Sequence, residues 1–409
     1  MKTELIKTFN LPSCLIIEDI LDEDRRIVIT CRTRKRKLSC PHCSGKVSGY
    51  DTIKNTKLHT ALNGKKVFLE ITKRRLQCQK CRKVFTEKIE GMTGQRTTDL
   101  FNQLLQEKSR NSDYSSVARE MGVSYNMVAQ KQDSLELNRF LVPEHDNLWI
   151  GLDGKYLNSE DEIFVIGEVK KKQFLGVTKG GTAADLERVL RKNIINEGKT
   201  VELVTMDMSK LIKGVSLNLF PDADIVADKF HVIKHANSVI DLCRIAVEKS
   251  VNERFQIKRM LLMKMETFNK IKNKPKWENK VKKFKKLLKE KEDLRILWNL
   301  KNRIHDFYKS KTESKAKENF NGILAYLDTY ESIHPEFQDL RKTLVNWQTE
   351  ILNYFKYHIT NAFIEGLNNR IETLKRKRFG FRNKERFIKT LLFAFLPIAM
   401  FLSNLIFTH

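Results

Sequence analysis

Two Cys-x-x-Cys pairs constrain the fold of this chain more than any other feature of its sequence. They are Cys40-Pro-His-Cys43 and Cys78-Gln-Lys-Cys81. Each pair can present two thiolates from one tight turn, and four thiolates complete the tetrahedral shell of a zinc ion. We therefore predict a zinc ribbon within residues 1–95, with structural zinc held by these four cysteines.

A redox site of the thioredoxin type is the alternative for either pair. That chemistry accompanies a strand–helix–strand pattern, and no such pattern flanks the cysteines. We do not expect His42 or His59 to be ligands, because the four thiolates already complete the shell.

The formal net charge of +26 over 409 residues indicates a polyanionic partner. A large positive charge raises the local concentration of nucleic acid, and each neutralised phosphate releases condensed counterions. Double-stranded DNA is therefore the expected partner. The alternative is a basic protein whose charge only keeps it soluble.

The remaining cysteines and the N-terminal residues indicate the cellular compartment in which the protein folds. Cys14, Cys31 and Cys243 are scattered, and the N-terminus lacks an apolar run of signal-peptide length. We expect a reducing bacterial cytoplasm with metal-bound thiolates.

Residues 390–407 approach the length of a membrane span, but Pro397 interrupts them. We predict buried packing or an oligomer contact there, and no membrane partner.

The chain divides into five zones by residue pattern. Residues 1–95 alternate like strands, and residues 96–142 are helical with a turn. Residues 148–235 alternate short apolar strands with helices, residues 236–355 are almost entirely helical, and residues 356–409 form a basic helix with an apolar tail. The predicted fold is multidomain, with α+β and α/β parts.

Residues 115–128 have the pattern of a helix-turn-helix. Val117 and Met121 form an apolar face, Gly122 allows the turn, and Ser124 can cap the second helix. A helical hairpin with no DNA contact is the alternative. The residues predicted to reach DNA from the second helix are Ser124, Tyr125, Asn126, Gln130 and Lys131.

Carboxylates at the predicted strand ends indicate metal-dependent chemistry. Apolar strands end on Asp153 and on Asp207, and Glu365 lies on a later helix. Oxygen ligands of this kind suit two Mg²⁺ or Mn²⁺ ions, which can drive phosphoryl transfer. Asp224 and Asp228 compete with Asp207 for the second position.

A basic, aromatic-spaced stretch follows Glu365. Its cations suit contacts to the DNA phosphate backbone. They are Arg376, Lys377, Arg378 and Arg382.

The closing segment resembles a known family. Thr360-Asn-Ala-Phe-Ile-Glu365-Gly-Leu-Asn-Asn-Arg-Ile, followed by Arg378-Phe-Gly-Phe-Arg-Asn383, is similar to the ending of bacterial insertion-sequence DDE transposases that carry a zinc ribbon and a helix-turn-helix. The ribbon, the helix-turn-helix and the segment from Asp207 to Asp228-Lys-Phe-His231 agree, so the resemblance covers nearly the whole chain. Gly154-Lys155-Tyr156 departs from it, because close relatives more often carry a further acid and an aromatic residue there.

The resemblance implies a ribonuclease-H-like core with Asp153, Asp207 and Glu365 as its DDE triad. Residues 148–235 would form its first part and residues 356–409 its second, with residues 236–355 as an all-helical insertion. The residues expected to orient the triad or contact DNA are Asp228, His231, Asn361 and Asn368.

The activity implied is binding to terminal inverted repeats, DNA cleavage and strand transfer into target DNA. A homodimer or a larger synaptic complex is expected with it. The alternatives are a non-catalytic DNA-binding regulator, a ribonuclease-H-like nuclease that does not join strands, and an inactive copy.

Overall fold

The computed structural model describes residues 9–34, 37–110, 112–133, 140–249, 257–377 and 383–397. The chain forms two compact units. The terminal unit consists of Met1–Arg139 with Ile371–His409, and the central unit consists of Phe140–Arg370. Both sheets and helices are present, which confirms the mixed fold predicted from the sequence.

The elements are numbered in chain order. The strands are β1 Leu15–Asp22, β2 Arg26–Thr33, β3 Val47–Leu62, β4 Lys65–Cys78, β5 Val84–Thr86, β6 Asn147–Tyr156, β7 Glu162–Glu168, β8 Gln173–Val177, β9 Thr200–Met206 and β10 Asp224–Ala227. The helices are α1 Asp99–Ser109, α2 Tyr114–Met121, α3 Tyr125–Asp133, α4 Ala183–Leu190, α5 Lys210–Leu219, α6 Lys229–Lys249, α7 Ile257–Leu261, α8 Met265–Ile271, α9 Pro275–Glu290, α10 Glu292–Phe307, α11 Glu313–Tyr330, α12 Glu336–Asn346, α13 Gln348–Leu352, α14 Tyr354–Tyr357, α15 Ala362–Lys377 and α16 Lys384–Phe395.

The sheet of the terminal unit follows from alternating residues. Its order is β1-β2-β4-β3, with β5 paired to β4. Ile29 on β2 and Val67, Leu69 and Ile71 on β4 are fully buried in one apolar cluster, as period-two alternation requires. Asn63 and Gly64, both at positive φ, close the β3–β4 hairpin, so the strands predicted within residues 1–95 are confirmed.

Three helices of the terminal unit surround a separate apolar cluster. Phe101 and Leu105 of α1, Val117 of α2 and Val128 of α3 are buried in it. Gly122 ends α2 at φ +63° and Ser124 accepts the Met127 N–H at 3.2 Å, which together form the predicted turn.

Helix α16 also belongs to the terminal unit and packs on α3. The Arg386 Nε donates to the Asp133 carboxylate at 2.9 Å, and the Arg110 guanidinium donates to the Leu396 carbonyl. Phe387 and Leu391 are fully buried. The packing predicted for the apolar tail is thus confirmed over residues 390–396, whereas residues 398–407 lie outside the described part. Within the described ranges, no helix is both long and apolar enough to cross a membrane.

The central unit contains a mixed five-stranded sheet in the order β10-β9-β6-β7-β8. Strands β6, β7 and β8 are antiparallel neighbours, whereas β9 and β10 run parallel to β6. Helices α4 and α5 supply Leu186, Leu190 and Ile212 to the core against Leu148 and Ile150 of β6. The alternation of strands and helices predicted for residues 148–235 is confirmed.

Residues 236–355 are helical wherever the structure describes them outside the short connections, from α6 to α14, as predicted. Their core includes Phe284, Trp298, Phe320 and Phe337. Pro275 is the first residue of α9, a position where its missing N–H costs no helical hydrogen bond.

Candidate active site and metal centres

Three acids lie side by side at one edge of the central sheet. Leu152 of β6 is in register with Met206 of β9, and Met206 is in register with Ala227 of β10. The next residue along the chain is an acid in each case. The three acids are Asp153, Asp207 and Asp228. The prediction that β6 ends on its acid is wrong, because β6 pairs with β7 as far as Tyr156 and Asp153 lies within the strand, whereas Asp207 directly follows β9.

Burial and mutual repulsion raise the pKa of two of these acids. Burial, with a further contribution from the Asp207 charge, raises the pKa of Asp153 to about 6. Burial also raises the pKa of Asp207, and the Asp228 carboxylate adds to the effect. Carboxylates crowded in this way gain from a cation between them.

Helix α15 packs directly on the sheet because two glycines give it room. A Cβ at Gly151 would lie 2.6 Å from the Ile364 side chain, and one at Gly167 would lie 2.7 Å from it. Gly151 and Asp153 point to the same face of β6, since side chains alternate along a strand. The helix that carries Glu365 therefore covers the face from which Asp153 projects.

Two asparagines join α15 and the residue before it to β6. The Asn368 Nδ2 donates to Asp153 Oδ2 at 2.7 Å, and the Asn361 Nδ2 donates to the Leu152 carbonyl at 3.0 Å. Glu365 is half-buried, four residues after Asn361 and three before Asn368, so all three share one helical face. The two asparagines place that face against β6, where Asn368 contacts Asp153.

Asp228 has both oxygens engaged by protein groups. One accepts the Asn361 N–H at 3.0 Å and the other contacts the His231 Nδ1 at 3.1 Å. This hydrogen bond is the main reason that the pKa of His231 is raised. Asp207 is half-buried and accepts the Ser209 N–H at 3.1 Å through Oδ1. Of the two, Asp207 has the more accessible carboxylate.

Asp224 lies at the opposite end of β10 and has other partners. Its carboxylate accepts from Lys356 Nζ at 2.7 Å and from the Tyr357 hydroxyl. The hydrogen bond from Lys356, followed by the one from Tyr357, lowers its pKa. Asp224 is thus away from the edge that carries the three acids.

The donor set at this edge suits hard divalent cations. Asn361 Oδ1 and Asn368 Oδ1 are buried oxygens for which the described residues offer no hydrogen-bond partner. The ligand oxygens of Asp153, Asp207 and Glu365 are not all within 4.8 Å of one another among the residues described. The carboxylate and amide oxygens at this edge are nevertheless of the kind that Mg²⁺ and Mn²⁺ accept as ligands.

The four cysteines of the two pairs form one cluster in the terminal unit. Their sulfur atoms all lie within 4.8 Å of one another, with Cys40 Sγ 3.6 Å from Cys81 Sγ and Cys43 Sγ 3.5 Å from Cys78 Sγ. The pKa of Cys78 is lowered to about 6, and the main cause is the hydrogen bond from the Cys81 N–H. This cluster could bind zinc.

The two cysteine turns repeat the same backbone geometry. Cys40 N–H donates to the carbonyl five residues later at 3.0 Å, and Cys78 N–H does the same. Ser44 and Arg82, each four residues after the first cysteine, have φ of +56° and +61°. His59 lies apart, with its ring nitrogens 3.0 Å from the Thr98 hydroxyl oxygen and 2.7 Å from the Phe9 carbonyl oxygen.

The residues proposed for DNA contact lie mostly on the surface. On α3 and its cap, Ser124, Tyr125, Asn126 and Gln130 are exposed, and Lys131 is half-buried. Arg376 and Lys377 at the end of α15 are exposed as well. Arg378 and Arg382 lie outside the described residues.

A second group of side chains that could bind a metal ion was not predicted from the sequence. Cys243, His334 and Glu336 bring their ligand atoms within 4.8 Å of one another in the central unit. Cys243 and Glu336 are 93 residues apart, so no local spacing signals the group. The glycines that admit α15 to the sheet, Gly151 and Gly167, were likewise missed, although glycine inside an apolar strand often marks close backbone approach.

Comparison with known proteins finds similarity to transposases. A family model described as a transposase, DDE_Tnp_ISL3, matches residues 150–391. The transposase for insertion sequence element IS1001 of Bordetella parapertussis is 20% identical over 335 residues, which cover 81% of this chain and 82% of that protein.

Proposed function

This chain belongs to the ISL3 family of DDE transposases, and on that premise we propose that it cleaves DNA at the terminal inverted repeats of an insertion sequence and joins the cut ends to target DNA. The observation that carries the proposal is the register that aligns Asp153, Asp207 and Asp228 at one sheet edge beneath α15.

The fold we propose for the central unit is a ribonuclease-H-like core. Three antiparallel strands flanked on one side by two parallel strands, in the order β8-β7-β6-β9-β10, support it. Residues 236–355 then form an all-helical insertion between β10 and the helix that carries Glu365.

Asp153, Asp207 and Glu365 are the proposed catalytic acids. Asp153 and Asp207 would share one divalent cation, and Glu365 would complete the second position. When bound, Mg²⁺ or Mn²⁺ activates the attacking oxygen and stabilises the leaving oxygen in phosphoryl transfer. The burial of Asp153 excludes water from one side of the site, which strengthens the electrostatic interactions within it.

Asn361, Asn368 and Asp228 are proposed as positioning residues. Asn368 orients the Asp153 carboxylate, while Asn361 connects the start of α15 to both β6 and Asp228. His231 holds the remaining Asp228 oxygen, so Asp228 acts through its neighbours and leaves Asp207 as the second acid.

DNA recognition is assigned to the terminal unit. The exposed residues of α3 and its cap would enter the major groove, and the cysteine cluster would bind zinc and stabilise the ribbon beside it. Arg376 and Lys377, with Arg378 and Arg382, would contact phosphates. The protein would act in the bacterial cytoplasm at the nucleoid, as a homodimer or larger synaptic complex on two DNA ends.

The test is a Mg²⁺-dependent cleavage and strand-transfer assay with the full chain and labelled element-end DNA. Asp153→Asn and Glu365→Gln are compared with Asp222→Asn and Glu318→Gln, matched charge changes at exposed positions in the same unit. Both site variants should lose more than about 100-fold in cleavage while DNA binding remains. Retained cleavage in both would contradict the assignment. Cleavage without joining, indifferent to the repeat, would indicate a nuclease, and binding without cleavage would indicate a regulator.

A further inference from the structure

A cysteine, a histidine and a glutamate meet inside the helical part of the central unit. Cys243 lies on α6, His334 lies just before α12, and Glu336 is the first residue of α12. Their ligand atoms are within 4.8 Å of one another. A tetrahedral zinc shell with bonds of about 2.0–2.3 Å places neighbouring ligand atoms about 3.3–3.8 Å apart, so a small adjustment would bring the three atoms onto one ion.

Cys243 and Glu336 already contact each other in the core. Cys243 is fully buried, and its Sγ donates to the Glu336 carboxylate at 3.5 Å. Burial, followed by the Glu336 charge, raises the pKa of Cys243 to about 12. A buried thiol beside a carboxylate is a weak hydrogen-bonded pair, whereas a cation between them would be held by two negative ligands.

His334 provides an independent indication that this cluster can bind an ion. Its side chain is buried, with the residue only 5% exposed, and its Nε2 has no hydrogen-bond partner among the described residues. The ring also forms a hydrogen bond with the backbone of Asp293. A metal-binding imidazole typically donates one N–H to a backbone carbonyl and turns the other nitrogen to the ion. Burial lowers the pKa of His334, which keeps the ring in the neutral form that binds metals.

We propose that Cys243, His334 and Glu336 form a second metal site, which holds a zinc-class divalent cation through one thiolate, one imidazole nitrogen and one carboxylate oxygen. Binding converts the Cys243 thiol to a thiolate and releases its proton to solvent. Thiolate and imidazole ligands select zinc over magnesium, which separates this site from the carboxylate edge. Glu336 is half-buried, so water can reach the fourth position from its side.

The site would join two helices that are distant in the chain. Helix α6 begins directly after Asp228 and carries His231 in its first turn, and α12 packs against α6. A metal bond between them fixes α6 near its C-terminal end, while Asp228 fixes its start. The site would thus be structural, and would stabilise the helix α6 that begins directly after Asp228.

The test measures zinc per chain by elemental analysis in the full-length protein and in Cys243→Ser. We expect the variant to contain one zinc ion fewer than the parent protein, whatever the content of the Cys40–Cys81 cluster. When cobalt replaces zinc, the sulfur-to-cobalt charge-transfer absorption of Cys243→Ser should be lower than that of the parent protein by the contribution of one thiolate ligand. His334→Ala and Glu336→Gln should each lose the same equivalent, which keeps the test decisive if Cys243→Ser fails to fold.

Two matched variants control for general damage. Cys31→Ser removes an equally buried thiol, and His305→Ala removes another imidazole whose Nε2 is buried without a partner among the described residues. Both should keep the full zinc content. Equal zinc in Cys243→Ser and the parent protein would overturn the proposal, as would the same loss of zinc in either control.

Discussion

The side-chain amide of Asn368 donates a 2.7 Å hydrogen bond to the carboxylate of Asp153, which lies 215 residues earlier in the chain. This bond connects the helix that carries Glu365 to the strand β6, which carries the first proposed acid. Because Asn368 and Glu365 are three residues apart on α15, any rotation of the helix that moved Glu365 would also break this bond. The relative placement of two proposed catalytic acids therefore depends on one asparagine.

Asn368→Ala should lower the cleavage rate by about 10–100-fold with DNA affinity unchanged, because Asp153 loses the group that orients it. Single-turnover cleavage at saturating protein measures the effect. Asn218→Ala, an exposed asparagine at the end of α5, is the matched control and should cleave at the parent rate. An equal rate in the two variants would show that Asn368 does not position Asp153.

Asp153→Asn should abolish cleavage yet stabilise the protein against unfolding when Mg²⁺ is absent. The folded-state pKa of Asp153, about 6, lies above its ordinary value of 3.8, so the folded state disfavours the charged carboxylate. The penalty is absent below about pH 4, grows as the pH rises towards 6, and is complete above it. We expect about 1–3 kcal/mol of added stability at pH 7.5, and none near pH 4.

Thermal unfolding without added Mg²⁺, at several pH values, checks this expectation. The asparagine can still accept the Asn368 hydrogen bond, so packing around the site is preserved. A lower melting temperature for Asp153→Asn at pH 7.5 would contradict it.

Asp207→Asn and Asp228→Asn should fail in different ways. Asp207→Asn should lose cleavage with no loss of stability and with a gain at neutral pH, because burial raises the pKa of Asp207 and the folded state therefore disfavours its charged form. Asp228→Asn should lose about 1–3 kcal/mol of stability, since its buried carboxylate forms hydrogen bonds with both Asn361 and His231. Denaturant unfolding and cleavage, measured side by side, separate the two roles. The opposite pattern would make Asp228 the second acid.

Removal of one thiolate from the cysteine cluster of the terminal unit should weaken specific DNA binding. Cys78→Ser deprives the cluster of one thiolate, and the strands β4 and β5 on either side of this turn lose their common anchor. Binding to element-end DNA, followed by fluorescence anisotropy, should fall at least about tenfold, with cleavage falling in parallel. Cys14→Ser changes a cysteine outside the cluster and should bind normally.

Asn126→Ala and Gln130→Ala should each weaken binding to element-end DNA by about 1–3 kcal/mol, with little effect on unrelated DNA. Both side chains are exposed on α3 and can reach base edges. Lys377→Ala should instead weaken binding to all sequences and reduce the salt dependence. Equal losses on specific and unrelated DNA for Asn126→Ala would argue against base recognition by this helix.

The parts of the fold that follow from local pattern could be predicted from the sequence. Strand β9 is an apolar run followed directly by Asp207, β6 is an apolar run up to Asp153 that continues to Tyr156, and α6 to α14 follow helical periodicity. The alignment of Asp228 with Asp153 could not be predicted, because it depends on the register of two parallel pairs that no local signal specifies.

The surface on which α16 packs could not be predicted from the sequence either. Its periodicity indicates an apolar face but not the surface that covers it, and its partner Asp133 lies 253 residues earlier. The hydrogen bond between Asn361 N–H and Asp228 spans 133 residues in the same way. For both, the sequence identifies plausible residues and the three-dimensional fold decides which of them meet.

The pairing of α16 with α3 has a consequence for the order of events during synthesis. The ribosome delivers α3 early, but Arg386 and Leu396 reach Asp133 and Arg110 only after almost four hundred residues have been made. Helices α1 to α3 thus remain without their last packing partner while the central unit is being translated. Nascent or prematurely terminated chains lack this contact, so if α3 reads DNA as proposed, its packing is complete only in molecules that already carry the proposed catalytic acids.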